Sequence, residues 1–206
     1  MANFLTLIDS PSPLLTAGVD EVGRGALFGP VVAAAVILPE QVLDDLANSG
    51  VTDSKKLTEK RRCRLAADIG AVALDCQVGM ASVREIDRLN ILQASLLAMR
   101  RAVLKLNPQP ELVLVDGNQQ IRGLNITQKT IVKGDSKCLA IAAASIVAKV
   151  WRDALIVRMA KKYPNYDLTK NKGYGTKKHK QGIANYGPSS QHRLSFSPCQ
   201  LSLFPV

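Results

Sequence analysis

Apolar and polar positions fall into blocks along this chain, and their period changes from block to block. Val31 to Leu38 is an unbroken apolar run that contains β-branched residues and is bounded by Pro30 and Pro39. With Ala17, Gly18 and Val19 upstream, it predicts two buried strands joined by a glycine-rich turn. Val72 to Met80 predicts a third strand, Leu112 to Val115 a fourth and Thr130 to Val132 a fifth. From Asn90 to Leu106 the period is helical: Leu92, Leu96, Leu97, Met99 and Val103 recur at helix spacing until Asn107-Pro108. Ser82 with Glu85 three residues on predicts a capped helix start. Ser136 to Lys162 predicts a long helix whose Ala142, Ala143, Ala144 and Ala148 suit close packing on a sheet. Thr58 to Asp68 is basic and helix-competent, the polar stretch 40–57 predicts a loop, and 118–129 a polar connection. Beyond Tyr163 the chain is rich in Gly, Pro, Lys and Ser, with one short helix predicted over Lys177 to Asn185. Three strands followed by alternating helix and strand predict an α/β layer with helices on the sheet faces.

Composition narrows the partners. A chain of 206 residues fits one domain with a small C-terminal appendage, and 4% aromatic residues mean an aliphatic, alanine-rich core. The formal charge of +10 favours a polyanionic partner. Cys63, Cys76, Cys138 and Cys199 show no CxxC spacing, so free thiols in a reducing cytoplasm are expected rather than a zinc site. Met1 to Ser10 lacks the features of a signal peptide. No membrane span is expected either, since the richest apolar stretch, Leu139 to Val150, is short and contains Ser145 and Lys149.

Candidate chemistry concentrates in carboxylates. Asp20 and Glu21 close the first strand, Asp116 the fourth and Asp135 follows the fifth, each with glycine nearby. Sites in open α/β sheets form where strand ends meet. Four carboxylates gathered there repel one another unless divalent cations lie between them, and an oxygen-only donor set favours Mg²⁺ or Mn²⁺ over zinc. Successive strand residues point to opposite faces, so Glu21 is expected either where the strand ends or as a backbone-carbonyl contributor. Gly23 and Gly25 around Arg24 allow a ligand close to the backbone, where amides and the guanidinium can meet a phosphate or sugar hydroxyl.

The run DEVGRG at 20–25 resembles the signature of the type 2 ribonuclease H family, and within it the ribonuclease HII group. TDSKKL at 52–57, LVDGN at 114–118, KGDSK at 133–137, AIAAASIVAKVWRD at 140–153, KGYGTKKH at 172–179 and GPSSQHRLSFSP at 187–198 carry the same resemblance. With Ala17, Gly18 and Val19 leading into the first of them, these blocks span residues 17–198 in one order. The resemblance implies a ribonuclease H-like mixed sheet flanked by helices over 17–162, after a lead-in at 1–16. A small helical, substrate-contacting part over 163–198 and an apolar tail at 199–206 would follow. It makes Asp20, Glu21, Asp116 and Asp135 the catalytic, metal-holding set, with metals about 3.5–4 Å apart activating water and stabilising the leaving 3′-oxygen. The implied substrates are RNA–DNA hybrids and duplex DNA carrying ribonucleotides, cut 5′ to the ribonucleotide to give 5′-phosphate and 3′-hydroxyl ends.

The 2′-hydroxyl alone distinguishes RNA from DNA at one nucleotide. The resemblance assigns its recognition to Gly23, Arg24 and Gly25, with the Tyr174 ring against the neighbouring sugar. Lys55 is expected at a phosphate, and Lys56, Lys133, Lys137, Lys177 and Lys178 are further candidates. Asp153 reads as the partner of a nearby arginine or a cap, Asp53 as a turn or helix-start residue, and His179 and His192 as local hydrogen-bonding groups. The related HIII type has an extra N-terminal domain; with residues 1–16 alone before the first strand, none is expected here. The rival readings are a resolvase-like carboxylate nuclease, disfavoured by the GRG block with Tyr174, and a non-catalytic basic accessory, disfavoured by the intact acids. A monomer is expected. Gln200-Leu201-Ser202-Leu203-Phe204 resembles the pentapeptide by which bacterial repair proteins bind the DNA sliding clamp; the alternative is that these residues fold back on their own domain.

Overall fold

In the computed structural model, which describes residues 14–52 and 54–200, five strands form one mixed sheet. They are β1 (Thr16–Val22), β2 (Val31–Ile37), β3 (Asp75–Ala81), β4 (Leu112–Asp116) and β5 (Thr127–Ile131), in spatial order β3-β2-β1-β4-β5. β1 pairs antiparallel with β2 and β2 with β3, whereas β4 runs parallel to β1 and β5 parallel to β4. Among the described residues seven α-helices accompany them: α1 (Leu43–Asn48), α2 (Glu59–Val72), α3 (Val83–Leu89), α4 (Ile91–Val103), α5 (Leu139–Ala160), α6 (Leu168–Asn171) and α7 (Lys177–Tyr186).

The unbroken apolar run of β2 has a simple cause: both its faces are covered. Val31, Ala33, Ala35 and Ile37 pack with α4, and Ala34 and Val36 pack with α5 and α2. A strand buried on both faces has no polar side to alternate with. Alanine at β2 and α5 lets these layers approach closely, and Gly18 shows how closely. A Cβ built on Gly18 would stand 2.2 Å from the Ala140 carbonyl carbon, so the first turn of α5 lies directly on β1. A third cluster, of Leu27, Phe28, Ile156, Ala160, Tyr166, Leu168, Ile183 and Cys199, fastens the C-terminal part to the loop after β1 and to the end of α5.

Several boundaries differ from the sequence reading. Residues 40–57 are not one loop: α1 lies within them and buries Leu46. β3 begins at Asp75 because α2, capped by the Thr58 hydroxyl, continues to Val72. β5 spans Thr127–Ile131 rather than Thr130–Val132; among the described residues it has a strand neighbour on one side only, and its polar, half-exposed residues hid it. α5 starts at Leu139, since Gly134–Ser136 form a separate 3₁₀ turn and Cys138 is extended. The lead-in ends earlier than expected, with Thr16 already paired to Leu112. The Ser82–Glu85 capping box forms as its spacing predicts.

Candidate active site

The parallel pairing of β1 and β4 runs from Thr16↔Leu112 to Val19↔Val115. Asp20 and Asp116 are the next residues on their strands. By strand alternation they face away from Val19 and Val115, which pack toward α4. Glu21 takes the α4 side, where it shares a small cavity of about 30 Å³ with Leu92, Ser95 and Leu96. Beyond the last β1–β4 pair the two faces meet around the strand end. There Asp20, Glu21 and Asp116 each bring a carboxylate oxygen within 4.8 Å of the others. Glu21 therefore reaches the group with its side chain, from the penultimate residue of β1.

Each acid is held. The Asp116 Oδ1 accepts the Gly134 N–H at 2.7 Å, and Asp20 Oδ1 accepts the Glu21 N–H at the same distance. The Ser145 hydroxyl, on α5, also bonds the Asp20 carboxylate and lies 3.0 Å from the Ser54 hydroxyl. Asp20 is 6% exposed. Burial first, then the neighbouring Glu21 and Asp116, pushes its carboxyl well above the usual carboxylate range. Burial raises Glu21 as well, and the Arg24 guanidinium, 3.1 Å from Glu21 Oε1, opposes that rise. Three converging carboxylates, with the exposed Arg24 paired to Glu21, form a donor set suited to a hard divalent cation. Asp135 stands outside this group, on the turn that supplies Gly134, and its Oδ2 is 3.9 Å from Lys55 Nζ.

The glycine-rich loop after β1 is tied to the tyrosine segment. Leu27 N–H donates to Gly173 O at 2.8 Å, and Ala26 and Tyr174 form an antiparallel bridge. Gly23 has φ +91°, and a Cβ there would fall 2.2 Å from Arg152 Nε, so only glycine fits. The Tyr174 ring, half-buried, has Lys149 Nζ 5.3 Å and Arg152 Cζ 5.5 Å from its centroid. Asp153 pairs with Lys149 at 3.0 Å rather than with an arginine, and is not among the three converging acids. Lys133, Lys137, Lys177 and Lys178 are exposed, the last two beside a cavity of about 260 Å³ between α6 and α7 that lies away from the acids. Asp53 lies outside the described residues.

Sequence reasoning missed Ser145, Arg152 and Arg193. Ser145 lies inside an apolar block, the one signal that could have marked it; the two arginines carry no such signal. Arg152 and Arg193 are both 0% exposed and donate to backbone carbonyls: Arg152 to Pro30, Phe28 and Lys172, Arg193 to Gly29 and Arg24. Burial lowers both guanidinium pKa values, that of Arg193 to about 9.

His179 and His192 do have local hydrogen-bonding roles. Ser189 N–H donates to His192 Nδ1 at 2.9 Å, so the His192 proton sits on Nε2 and points at His179 Nε2, 3.0 Å away. His179 Nδ1–H then donates to the Tyr174 carbonyl at 2.9 Å. Both rings are neutral donors in a relay that fixes the Tyr174 backbone. Burial, and then His179, lowers His192 from 6.5 to about 4. The unfolded chain therefore takes up this proton first: stability from the relay is full above about pH 6.5 and is lost as pH falls from there toward 4. Melting temperatures measured across that interval should fall, and a His192→Asn variant should show a shallower decline.

A mixed sheet with carboxylates gathered where its parallel strands end defines a ribonuclease H-like nuclease site. The family model for Ribonuclease HII matches residues 17–199. A Ribonuclease HII of Trichodesmium erythraeum (strain IMS101) is 80% identical over 200 residues, 97% of this chain and 95% of that relative. Among solved structures, the ribonuclease H2 from Pyrococcus horikoshii OT3 superposes with TM-score 0.75 at 27% identity, over 89% of this chain and 94% of that one. The PCNA:RNase HII complex from Archaeoglobus fulgidus gives 0.71 at 30% identity, over 87% and 92%. This chain belongs to the ribonuclease HII family. It is a metal-dependent phosphodiester hydrolase of the type 2 ribonuclease H class.

Proposed function

We propose that this enzyme cuts the RNA strand of RNA–DNA hybrids and cuts 5′ to ribonucleotides embedded in duplex DNA, leaving 5′-phosphate and 3′-hydroxyl ends. The observation that carries the proposal is the convergence of Asp20, Glu21 and Asp116 within 4.8 Å, directly beside a GRG loop bridged to Tyr174. These three acids, with Asp135 at the rim, would hold Mg²⁺ or Mn²⁺. Bound divalent cations supply an activated water and charge stabilisation at the leaving 3′-oxygen.

The chain's own groups prepare that chemistry. Ser145 and the Glu21 amide orient Asp20, and the Gly134 amide orients Asp116. The 23–25 backbone offers donors and acceptors to a 2′-hydroxyl, and Tyr174 offers a ring face to the next sugar. Lys55, its side chain 83% exposed, is placed to meet a phosphate near Asp135. We assign catalysis to 17–162 and much of the substrate contact to 163–198.

Tyr174→Ala should reduce cleavage at an isolated ribonucleotide more than cleavage of a long hybrid, by about tenfold, the worth of one base or sugar stacking contact. A long hybrid offers many registers and depends less on one junction contact. Equal losses on both substrates would give Tyr174 a general structural role.

The tail reading also belongs here. The Archaeoglobus fulgidus relative is in complex with PCNA, and the QLSLF peptide of this chain is a candidate for a sliding clamp's apolar groove. Leu201 to Phe204 lie outside the described residues. Cys199 is 1% exposed and packs with Leu27 and Phe28, so a clean truncation removes 201–206 and keeps Cys199. That truncation should abolish clamp binding, roughly micromolar in the full chain, and spare cleavage of short free duplexes. Unchanged clamp binding by pull-down or calorimetry would refute the assignment.

A further inference from the structure

Arg193 is buried without a carboxylate among its hydrogen-bond partners. Its Nε and Nη2 donate to Gly29 O at 3.0 and 2.9 Å, and its Nη1 donates to Arg24 O at 2.8 Å. A buried cation is costly; here its hydrogen bonds go to backbone carbonyls, while the Phe196 ring lies 5.2 Å from its Cζ and Asp87 acts on it at longer range. Those carbonyls must turn inward. In a planar trans peptide the N–H points opposite to the C=O, so drawing Arg24 O in toward Arg193 turns the Gly25 N–H out. Gly25 is exposed, a Cβ built there meets nothing within 4 Å, and its amide has no acceptor among the described residues. Among the described residues the amide thus donates to no protein group, four residues from Glu21 in a loop anchored to Tyr174.

We propose that Arg193 is a positioning residue for ribose selection: by holding the Arg24 and Gly29 carbonyls it aims the Gly25 amide at the 2′-oxygen of the scissile ribonucleotide. The proposal rests on the ribonucleotide reading above. It gives the QHR stretch, whose Arg193 lies 164 to 169 positions from the carbonyls it holds, a role in sugar discrimination that contact with the substrate does not require. Arg152 acts on the other side of the same loop, holding Pro30 and Phe28.

The test compares two labelled DNA duplexes, identical except for one ribonucleotide, in metal-free buffer by fluorescence anisotropy. Wild-type full-length protein should bind the ribonucleotide duplex more tightly. Arg193→Lys keeps the charge, but one ammonium cannot reproduce the planar fork that spans both carbonyls. It should lose about tenfold of the preference, the worth of one aligned hydrogen bond, with all-DNA affinity unchanged and circular dichroism showing the native fold. If that variant does not fold, replacing Gly25 by glycolate removes the N–H, leaves Arg193 in place and should lose the same preference. An unchanged preference in a folded variant, or equal loss on both duplexes, overturns the proposal. No preference in wild-type protein would instead overturn the ribonucleotide reading itself.

Discussion

Asp116→Asn and Asp20→Asn should each reduce cleavage by about 10²–10³-fold, the usual scale for removing one charged group aimed at a reacting phosphoryl centre. Duplex affinity should stay near wild type, because it rests on the basic surface rather than on the acids. The same replacements should leave the metal-free protein as stable or more stable. Asp20 has its folded-state pKa raised by burial and by two neighbouring carboxylates. Its ionised form therefore opposes folding: stability is greatest below the unfolded value of 3.8 and falls as pH rises through the folded one. Asparagine is neutral throughout and avoids that cost. Kinetics with Mg²⁺ or Mn²⁺ and thermal melts in chelator check both halves. Metal-free destabilisation would mark the residue as a structural hydrogen-bonding group.

Arg152→Ala should cost about 3–5 kcal/mol, through a side-chain cavity and three abandoned carbonyls, lowering the melting temperature on the order of 10 °C. Its Nε and Nη2 hold Pro30 and Phe28 in the loop after β1, and its Nη1 holds Lys172, so one side chain ties two segments that also meet through Leu27, Phe28 and the C-terminal cluster. Arg152→Lys should recover part of the loss, since one nitrogen can satisfy one or two of the three acceptors. Melts of the two variants in chelator decide it, and an alanine variant as stable as wild type would show that the buried charge stabilises nothing.

The convergence of Asp20, Glu21 and Asp116 was legible because all three stand at the ends of apolar runs, where a core has no other use for carboxylates; Asp135, read in the same way, lies outside that group. β2 was legible for the opposite reason: burial on both faces leaves an unbroken apolar run. β5 was not, since its Thr127, Gln128 and Lys129 carry no apolar pattern, and Gln128 contributes instead through hydrogen bonds to Ile121 and Leu124. Arg152 and Arg193 were illegible because a cation in a sequence reads as solvated. Their partners are backbone carbonyls 122 to 169 positions away in the chain, or within the segment at Lys172, and no residue pattern announces a carbonyl. Local spacing did suffice for the Ser82–Glu85 cap, whose whole geometry lies within four residues. It also raised the difficulty of Glu21, which the ends of two parallel strands resolve.

The most direct measurement gives the protein Mg²⁺ or Mn²⁺ and a labelled DNA duplex carrying one ribonucleotide, beside the same duplex in all-DNA form and a chelator control. Metal-dependent cleavage 5′ to the ribonucleotide, with a 3′-hydroxyl on the upstream fragment, is the predicted result. Cleavage of the all-DNA duplex at a similar rate, or cleavage of the ribonucleotide duplex that persists in chelator or in Asp116→Asn, would contradict it.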